Sequence, residues 1–213
     1  PGLHLLNPDC SAALSIATGF IPADSSIALK TLANLEGLWN QAWAGGGYGR
    51  YHFSSEPDSP GSWPFPSLFM ARAWIEAGDL EKVWSVLNWL NTLPGAKAGS
   101  WFEFYGNRLS PPFPQVGITP WTWAEMLILL VHHLIGIRPD VDCLRIRPRL
   151  LPGVNRVQSS FPLRSGRVNL EIKRAEDKKS AGFRSNGKIR QSSEKEALLS
   201  YSQKEIWVEA SVI

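Results

Sequence analysis

The chain has 213 residues, 44% of them hydrophobic, and a formal net charge of +3, which is ample apolar material for one large core or two small ones and reads as globular and soluble. Cys10 and Cys143 are too few and too far apart for a disulfide scaffold, and neither lies in a metal-ligand spacing, so both read as buried thiols and no metal or cofactor is expected. The longest apolar stretch, Met126 to Ile137, is interrupted by His132 and His133 and is too short to span a bilayer.

Composition divides the chain. Nine of the ten tryptophans lie in the first 123 residues, leaving only Trp207 near the end. Residues 1–137 hold 6 Lys/Arg against 10 Asp/Glu, whereas 138–213 hold 16 against 9. A mildly acidic, Trp-rich segment suits a neutral polyhydroxylated ligand better than a polyanion. Nucleic acid is not expected as a partner, because the stacking aromatics and the positive charge lie in different halves. The first residue, Pro1, follows no basic-then-apolar leader, so the start reads as a truncation and no cellular location is assigned.

In chain order, a short helical stretch is predicted over about Cys10 to Thr18, stopping before Gly19. A longer helix follows from Asp24 to Trp39, where Ile27, Leu29, Leu32, Leu35 and Leu38 recur at helical spacing behind an Asp-Ser-Ser cap. Residues 40 to 65, with Gly45, Gly46, Gly47, Gly49, Pro57, Pro60, Gly61 and Pro64, predict a long loop carrying Tyr48, Tyr51, Phe53 and Trp63. A second helical hairpin spans about Pro66 to Ala77 and Leu80 to Leu93, broken at Gly78-Asp79, with Asp79 as cap. Trp84 and Trp89 on it read as packing. Thr119-Pro120 opens a last helix running to about Ile135, apolar on nearly all sides and therefore expected to be buried. From Arg138 the period changes to two: Leu144-Ile146, Val168-Leu170-Ile172 and Ile206-Val208 alternate with polar neighbours, Asn186-Gly187 marks a tight turn, and an antiparallel sheet is expected. The domain division predicted is 1–137 and 138–213.

Glu103 is the candidate catalytic residue. It is one carboxylate in the aromatic run Trp101-Phe102-Glu103-Phe104-Tyr105, and aromatic walls both desolvate a carboxyl group and offer flat faces to sugar rings. A buried glutamate paired with an arginine or held by backbone amides is the alternative reading. Tyr48, Trp63 and Trp101 are the stacking candidates, because Gly/Pro-rich loops do not bury them as an amphipathic helix would. Arg50, between two tyrosines, either offers a planar fork to sugar hydroxyls or anchors its loop to a carboxylate. His132 and His133 read as satisfied core histidines, and Glu125 as structural.

The motifs also resemble a known family. Gly46-Gly47-Tyr48-Gly49-Arg50-Tyr51, the Gly61-Ser62-Trp63-Pro64-Phe65 segment entering a helix, and Trp101-Phe102-Glu103 followed by Thr119-Pro120-Trp121-Thr122-Trp123-Ala124-Glu125 resemble glucoamylase-type, family-fifteen glycoside hydrolases over residues 10 to 137. Gly136-Ile137-Arg138-Pro139 with Leu144-Arg145-Ile146-Arg147-Pro148 resembles the barrel-to-sheet junction of six-hairpin rhamnosidases and sugar phosphorylases. This chain reads Phe-Glu-Phe where family members read Pro-Glu-Gln.

The resemblance implies a mainly α fold, part of an (α/α)6 toroid made of helical hairpins, followed by a smaller antiparallel β region. It also implies the C-terminal part of an inverting hydrolase acting on α-glucan-like oligosaccharides or a related polysaccharide, with Glu103 as general base. The acid would lie in a missing upstream part of the same protein; Glu56 and Asp58 are the loop carboxylates that would substitute for it. An open half-ring would expose apolar helix faces, so the isolated chain is expected to be marginal or self-associating and inactive alone. A sugar phosphorylase of the same architecture and a non-catalytic glycan-binding remnant are the alternatives.

Overall fold

The computed structural model of the chain describes residues 7–40, 45–52, 61–106, 117–201 and 204–213. They fall into two compact units, Pro1–Met126 and Leu127–Ile213.

In the first unit Asp9 accepts from the Ser11 backbone N–H at 2.8 Å and caps a 3-10 turn, Cys10–Ala12, that runs into α1 (Ala13–Ala17). Ser25 caps α2 (Ser26–Leu35) by accepting from Ala28 N–H, and α2 buries Ala28, Leu32 and Leu35. The helix predicted through Trp39 ends early, tightening into a 3-10 turn over Glu36–Leu38. α3 (Pro64–Ala77) starts with Pro at its first turn, where no N–H is needed, and stops at Gly78, whose φ of 91° is the left-handed cap that favours glycine. Asp79 then caps α4 (Leu80–Thr92) through Lys82 N–H at 3.1 Å. α3 is the centre of the unit: it packs on both α1 and α4 and buries Leu68, Met70, Ala71, Ala73 and Ile75. Trp89 is buried on α4 as predicted, whereas Trp84 is 36% exposed.

Two of the irregular stretches meet. β1 (Gly61–Ser62) pairs antiparallel with β2 (Tyr105–Gly106), Gly61 opposite Gly106 and Ser62 opposite Tyr105. Glycine at 61 eases this pairing, because a Cβ there would lie 3.0 Å from the Tyr105 carbonyl oxygen.

α5 (Pro120–Ile128) continues as a π-helical segment, Leu129–Leu134. The backbone carbonyls of His132 and His133 accept from Arg138 Nε at 2.7 Å and Arg149 Nη1 at 3.2 Å. His133 is buried with its Nδ1 2.8 Å from Arg138 Nη2, so it serves packing rather than a cation site. The predicted all-round burial of this helix does not hold: Trp121, Trp123, Leu127 and Leu130 are 38–60% exposed.

The second unit contains β3 (Ile137–Pro139), β4 (Cys143–Ile146), β5 (Arg156–Leu163), β6 (Gly166–Arg174), β7 (Gly182–Ser185), β8 (Ile189–Ser192), β9 (Ala197–Ser200) and β10 (Glu205–Val212). They form two four-stranded sheets, ordered β5-β6-β10-β7 and β3-β4-β9-β8. Alternate residues of both sheets, among them Leu144, Ile146, Val168, Leu170, Ile172, Leu199, Ile206 and Val208, share one core, which makes the unit a β-sandwich. β6 and β10 run parallel, unlike the antiparallel arrangement predicted, because three strands intervene in sequence and supply the crossover. Asn186-Gly187 does not close a hairpin; it carries the chain from β7 in one sheet to β8 in the other.

The expected mainly α fold is therefore corrected. Among the described residues there are five α-helices and ten strands in three sheets, a mixed α/β architecture in which no (α/α)6 toroid is evident. The helices predicted at α3 and α4 are present, but α1 spans five residues and α2 ten, too short for the hairpins of a toroid.

Candidate functional site

The backbone of residues 45–52 is held from several sides. Gly49 N–H donates to Leu38 O at 2.8 Å, Tyr48 N–H to Ser67 Oγ at 2.8 Å, and Ser62 Oγ to Gly46 O at 2.6 Å. Cys10 N–H donates to Arg50 O at 3.0 Å and its thiol to Gly49 O at 3.1 Å, which ties this loop to the turn that carries Asp9 and Ser11. Gly47, at φ 79°, lies so close to Trp89 that a Cβ would fall 2.4 Å from the indole. These bonds place Arg50 beside Trp63. Its guanidinium carbon sits 4.8 Å from the Tyr51 ring centroid and 5.8 Å from that of Trp63.

The β1–β2 pairing brings the second aromatic segment in. Trp63 follows β1, Phe104 precedes β2, and their rings stack at 5.2 Å and 26°. Glu103 is the next residue back along the chain.

Arg50, Trp63 and Glu103 line one cavity of about 260 Å³. Its remaining walls are Phe65, Pro66 and Phe69 from the first turns of α3, Trp121 from the first turn of α5, and Asp9 with Ser11. Phe65 meets Phe69 edge-on at 4.5 Å and lies 6.1 Å from Trp121, so these three rings form a contiguous aromatic cluster in the cavity lining. Trp121 is 40% exposed. The Trp63 indole N–H is buried with no acceptor among the described residues, an unmet donor in a cavity wall residue. Glu103 is half-buried, and among the described residues it forms no ion pair with an arginine.

Two of the five residues singled out from sequence lie elsewhere. Tyr48 is 1% exposed and donates its hydroxyl proton to Glu36, which also accepts from Trp74 Nε1 at 3.0 Å and from Lys82. Burial and the adjacent Glu36 carboxylate push the Tyr48 phenol far above its ordinary range. Trp101 donates its indole N–H to Leu90 O at 2.9 Å and anchors its segment to α4. Both are structural supports of the cavity rather than its walls.

Glu125 forms a buried ion pair with Arg72, Nη1 to Oε2 at 2.5 Å, linking α5 to α3 one turn along each helix from the cavity residues Trp121 and Phe69. Glu56 and Asp58 lie outside the described residues. Asp9, Ser11, Phe65, Phe69 and Trp121 were missed from sequence. A signal existed only for Trp121, an aromatic in the first turn of a helix opened by Thr119-Pro120. Cys10 and Cys143 are buried and in no disulfide, and no cluster of metal-ligating side chains occurs among the described residues. Among the described residues no helix is long and apolar enough to cross a membrane.

Compared with known proteins, the chain matches no family model and no curated protein. The glucoamylase-like identity is therefore withdrawn: its toroid is not evident and no comparison supports it. The short Gly-aromatic and Trp-Pro strings that carried the resemblance are accounted for locally, by the close approach of Gly47 to Trp89 and by Pro64 opening α3.

Proposed function

We propose that the first unit carries a carbohydrate-active pocket that takes one sugar ring of an oligosaccharide, with Glu103 as its acid–base carboxylate. The observation that supports this reading is the convergence of Glu103, Arg50, Trp63 and Trp121 on one cavity from four separate stretches of chain. Its volume, about 260 Å³, falls just below the roughly 300–1,000 Å³ of pockets for drug-sized ligands and suits a single ring. The C–H faces of a sugar stack on the exposed indole of Trp121, while Arg50 donates to its hydroxyls and Glu103 accepts from them.

Hydrolysis at this site requires Glu103 to take a proton from water as the water oxygen attacks the anomeric carbon. The bond to the departing oxygen breaks as a second carboxyl group protonates it. Asp9 is the other carboxyl group among the described lining residues, its Oδ1 accepting from Ser11 N–H.

Calorimetric titration with maltohexaose, xylohexaose and cellohexaose, alongside an assay of reducing-end release, tests the proposal. Trp121→Ala is expected to weaken the best ligand at least about tenfold. Glu103→Gln is expected to retain binding within about threefold and abolish any reducing-end release. Unchanged affinity in Trp121→Ala refutes the pocket, and unchanged turnover in Glu103→Gln refutes the role of the carboxylate while leaving the binding reading in place.

A further inference from the structure

A second feature with the same chemistry, independent of the Glu103 pocket, lies on the sandwich unit. Because strand residues alternate between faces, the buried run Val168, Leu170, Ile172 on β6 and Ile206, Val208, Ala210 on β10 sends the intervening residues to the outer face of the β5-β6-β10-β7 sheet. The register then builds two rows across that face. One is Ser160–Asn169–Trp207, and the other is Gln158–Glu171–Glu209–Arg184. These two rows line an open cleft of about 810 Å³, larger than the Glu103 pocket.

Trp207 is 59% exposed although it sits on β10, an interior strand of the sheet. Its row neighbours Ser160 and Asn169 are too short to cover an indole. Its backbone is fixed: Trp207 N–H donates to Asn186 Oδ1 at 2.7 Å, and Asn186 N–H donates to Trp207 O at 3.2 Å. A single exposed apolar side chain on a folded surface is ordinary in itself. The setting distinguishes this one: it is one exposed ring in an open cleft whose other outward-facing side chains are amides, hydroxyls and charges, with Leu170 and Val208 turned to the core.

Those charges are largely neutralised within the face. Glu171 accepts from Arg156 Nε at 2.6 Å and pairs with Lys173 at 2.9 Å, and Lys173 lies 3.7 Å from Glu209. Asn169 donates to Glu205, and Arg167 donates to Ser160 Oγ at 2.8 Å. A polyanion or a strongly charged peptide finds no net complementary field here. A protein partner needs roughly 800 Å² per side with an apolar centre, and the face offers one apolar ring. A neutral oligosaccharide fits both the single ring and the flanking hydrogen-bond groups.

We propose that the outer face of the β5-β6-β10-β7 sheet is a saccharide-binding platform, in which Trp207 stacks on one sugar ring and Asn169, Gln158, Arg184 and Glu209 hydrogen-bond the hydroxyls of that sugar and its neighbours. The platform would hold a neutral oligosaccharide chain on the second unit whether or not the Glu103 pocket acts on it.

The test is an NMR titration of the full chain with xylohexaose, cellohexaose and maltohexaose. The Trp207 indole N–H resonance is assigned as the cross-peak absent from Trp207→Phe. At least one of the three sugars is expected to shift that cross-peak saturably. Trp207→Ala is expected to lose affinity for the same sugar at least about tenfold, while Trp207→Phe stays within about threefold of wild type. A Trp207 cross-peak that none of the three sugars moves overturns the proposal, as does wild-type affinity in Trp207→Ala. A cross-peak that shifts with protein concentration in the absence of sugar also overturns it, since that marks self-association through this face. Trp121→Ala leaves the Trp207 titration unchanged, so the two sites stand or fall separately.

Discussion

Replacing Arg72 by Met tests whether the wall of the Glu103 pocket rests on a buried charge pair. The two side chains are 9% and 11% exposed and their charged atoms lie 2.5 Å apart. At an effective dielectric constant near 20 their attraction is roughly 6–7 kcal/mol. Withdrawing two ions from water costs several kcal/mol each, so the pair as a whole contributes little relative to well-packed apolar residues. Removing one partner is different. Arg72→Met leaves the Glu125 carboxylate buried without its cation and is expected to destabilise the first unit by about 3–5 kcal/mol. The double variant Arg72→Met/Glu125→Leu is expected to recover most of that loss. Urea denaturation followed by tryptophan fluorescence reads the first unit almost alone, since nine of the ten tryptophans lie within its bounds. A cost below about 1 kcal/mol for the single variant, or a double variant as unstable as the single one, would refute the reasoning.

Gly47→Ala is expected to cost about 2–5 kcal/mol in the same assay, because it combines a φ of 79° with a Cβ placed 2.4 Å from the Trp89 ring; a midpoint within error of wild type would show that the loop has room to give. In an alkaline absorbance titration, Tyr48 is expected to stay protonated well past pH 10 while the chain is folded. Its folded pKa is raised and the unfolded phenol ionises near 10, so stability falls as pH rises above that value, and Tyr48→Phe should remove that component of the alkaline loss. On the acid side, Lys173 first and then Arg156 hold Glu171 below its ordinary 4.5. The stabilisation this gives the sandwich is present above that pH and is lost as pH falls through the lower folded value, so Glu171→Gln should flatten the acid limb of the unfolding profile. An unchanged limb would contradict the pairing.

What the sequence disclosed was local. The caps at Ser25 and Asp79, the stop at Gly78 and the Pro64 start are written in residues whose backbone chemistry acts within one turn, and each lies where the pattern put it or within two residues of it. The alternation at Val168-Leu170-Ile172 was equally legible, because a half-buried strand needs nothing beyond its own period. Long-range pairing was not. Whether β10 joins β6 in parallel, or whether Gly61 meets Gly106, depends on register between segments far apart in sequence, and no local period encodes it. The same limit applied at the candidate site. Glu103, Arg50 and Trp63 stand out because they are unusual residues in glycine- and proline-rich surroundings. Asp9 and Phe69 carried no such mark, and only the fold brings them to the cavity. Tyr48 shows that a glycine-rich loop can bury an aromatic when its polar tip finds a carboxylate such as Glu36, and the half-buried Trp101 is tied to the Leu90 carbonyl away from the cavity lining.

The most direct test of the central claim is a crystal structure of the full chain soaked with the hexasaccharide that binds best in solution. Density for a sugar ring stacked on Trp121, with a hydroxyl or the glycosidic oxygen within hydrogen-bond reach of the Glu103 carboxylate, is the predicted result. Sugar bound elsewhere, with the cavity between Arg50, Trp63 and Glu103 empty at saturating ligand, would contradict it.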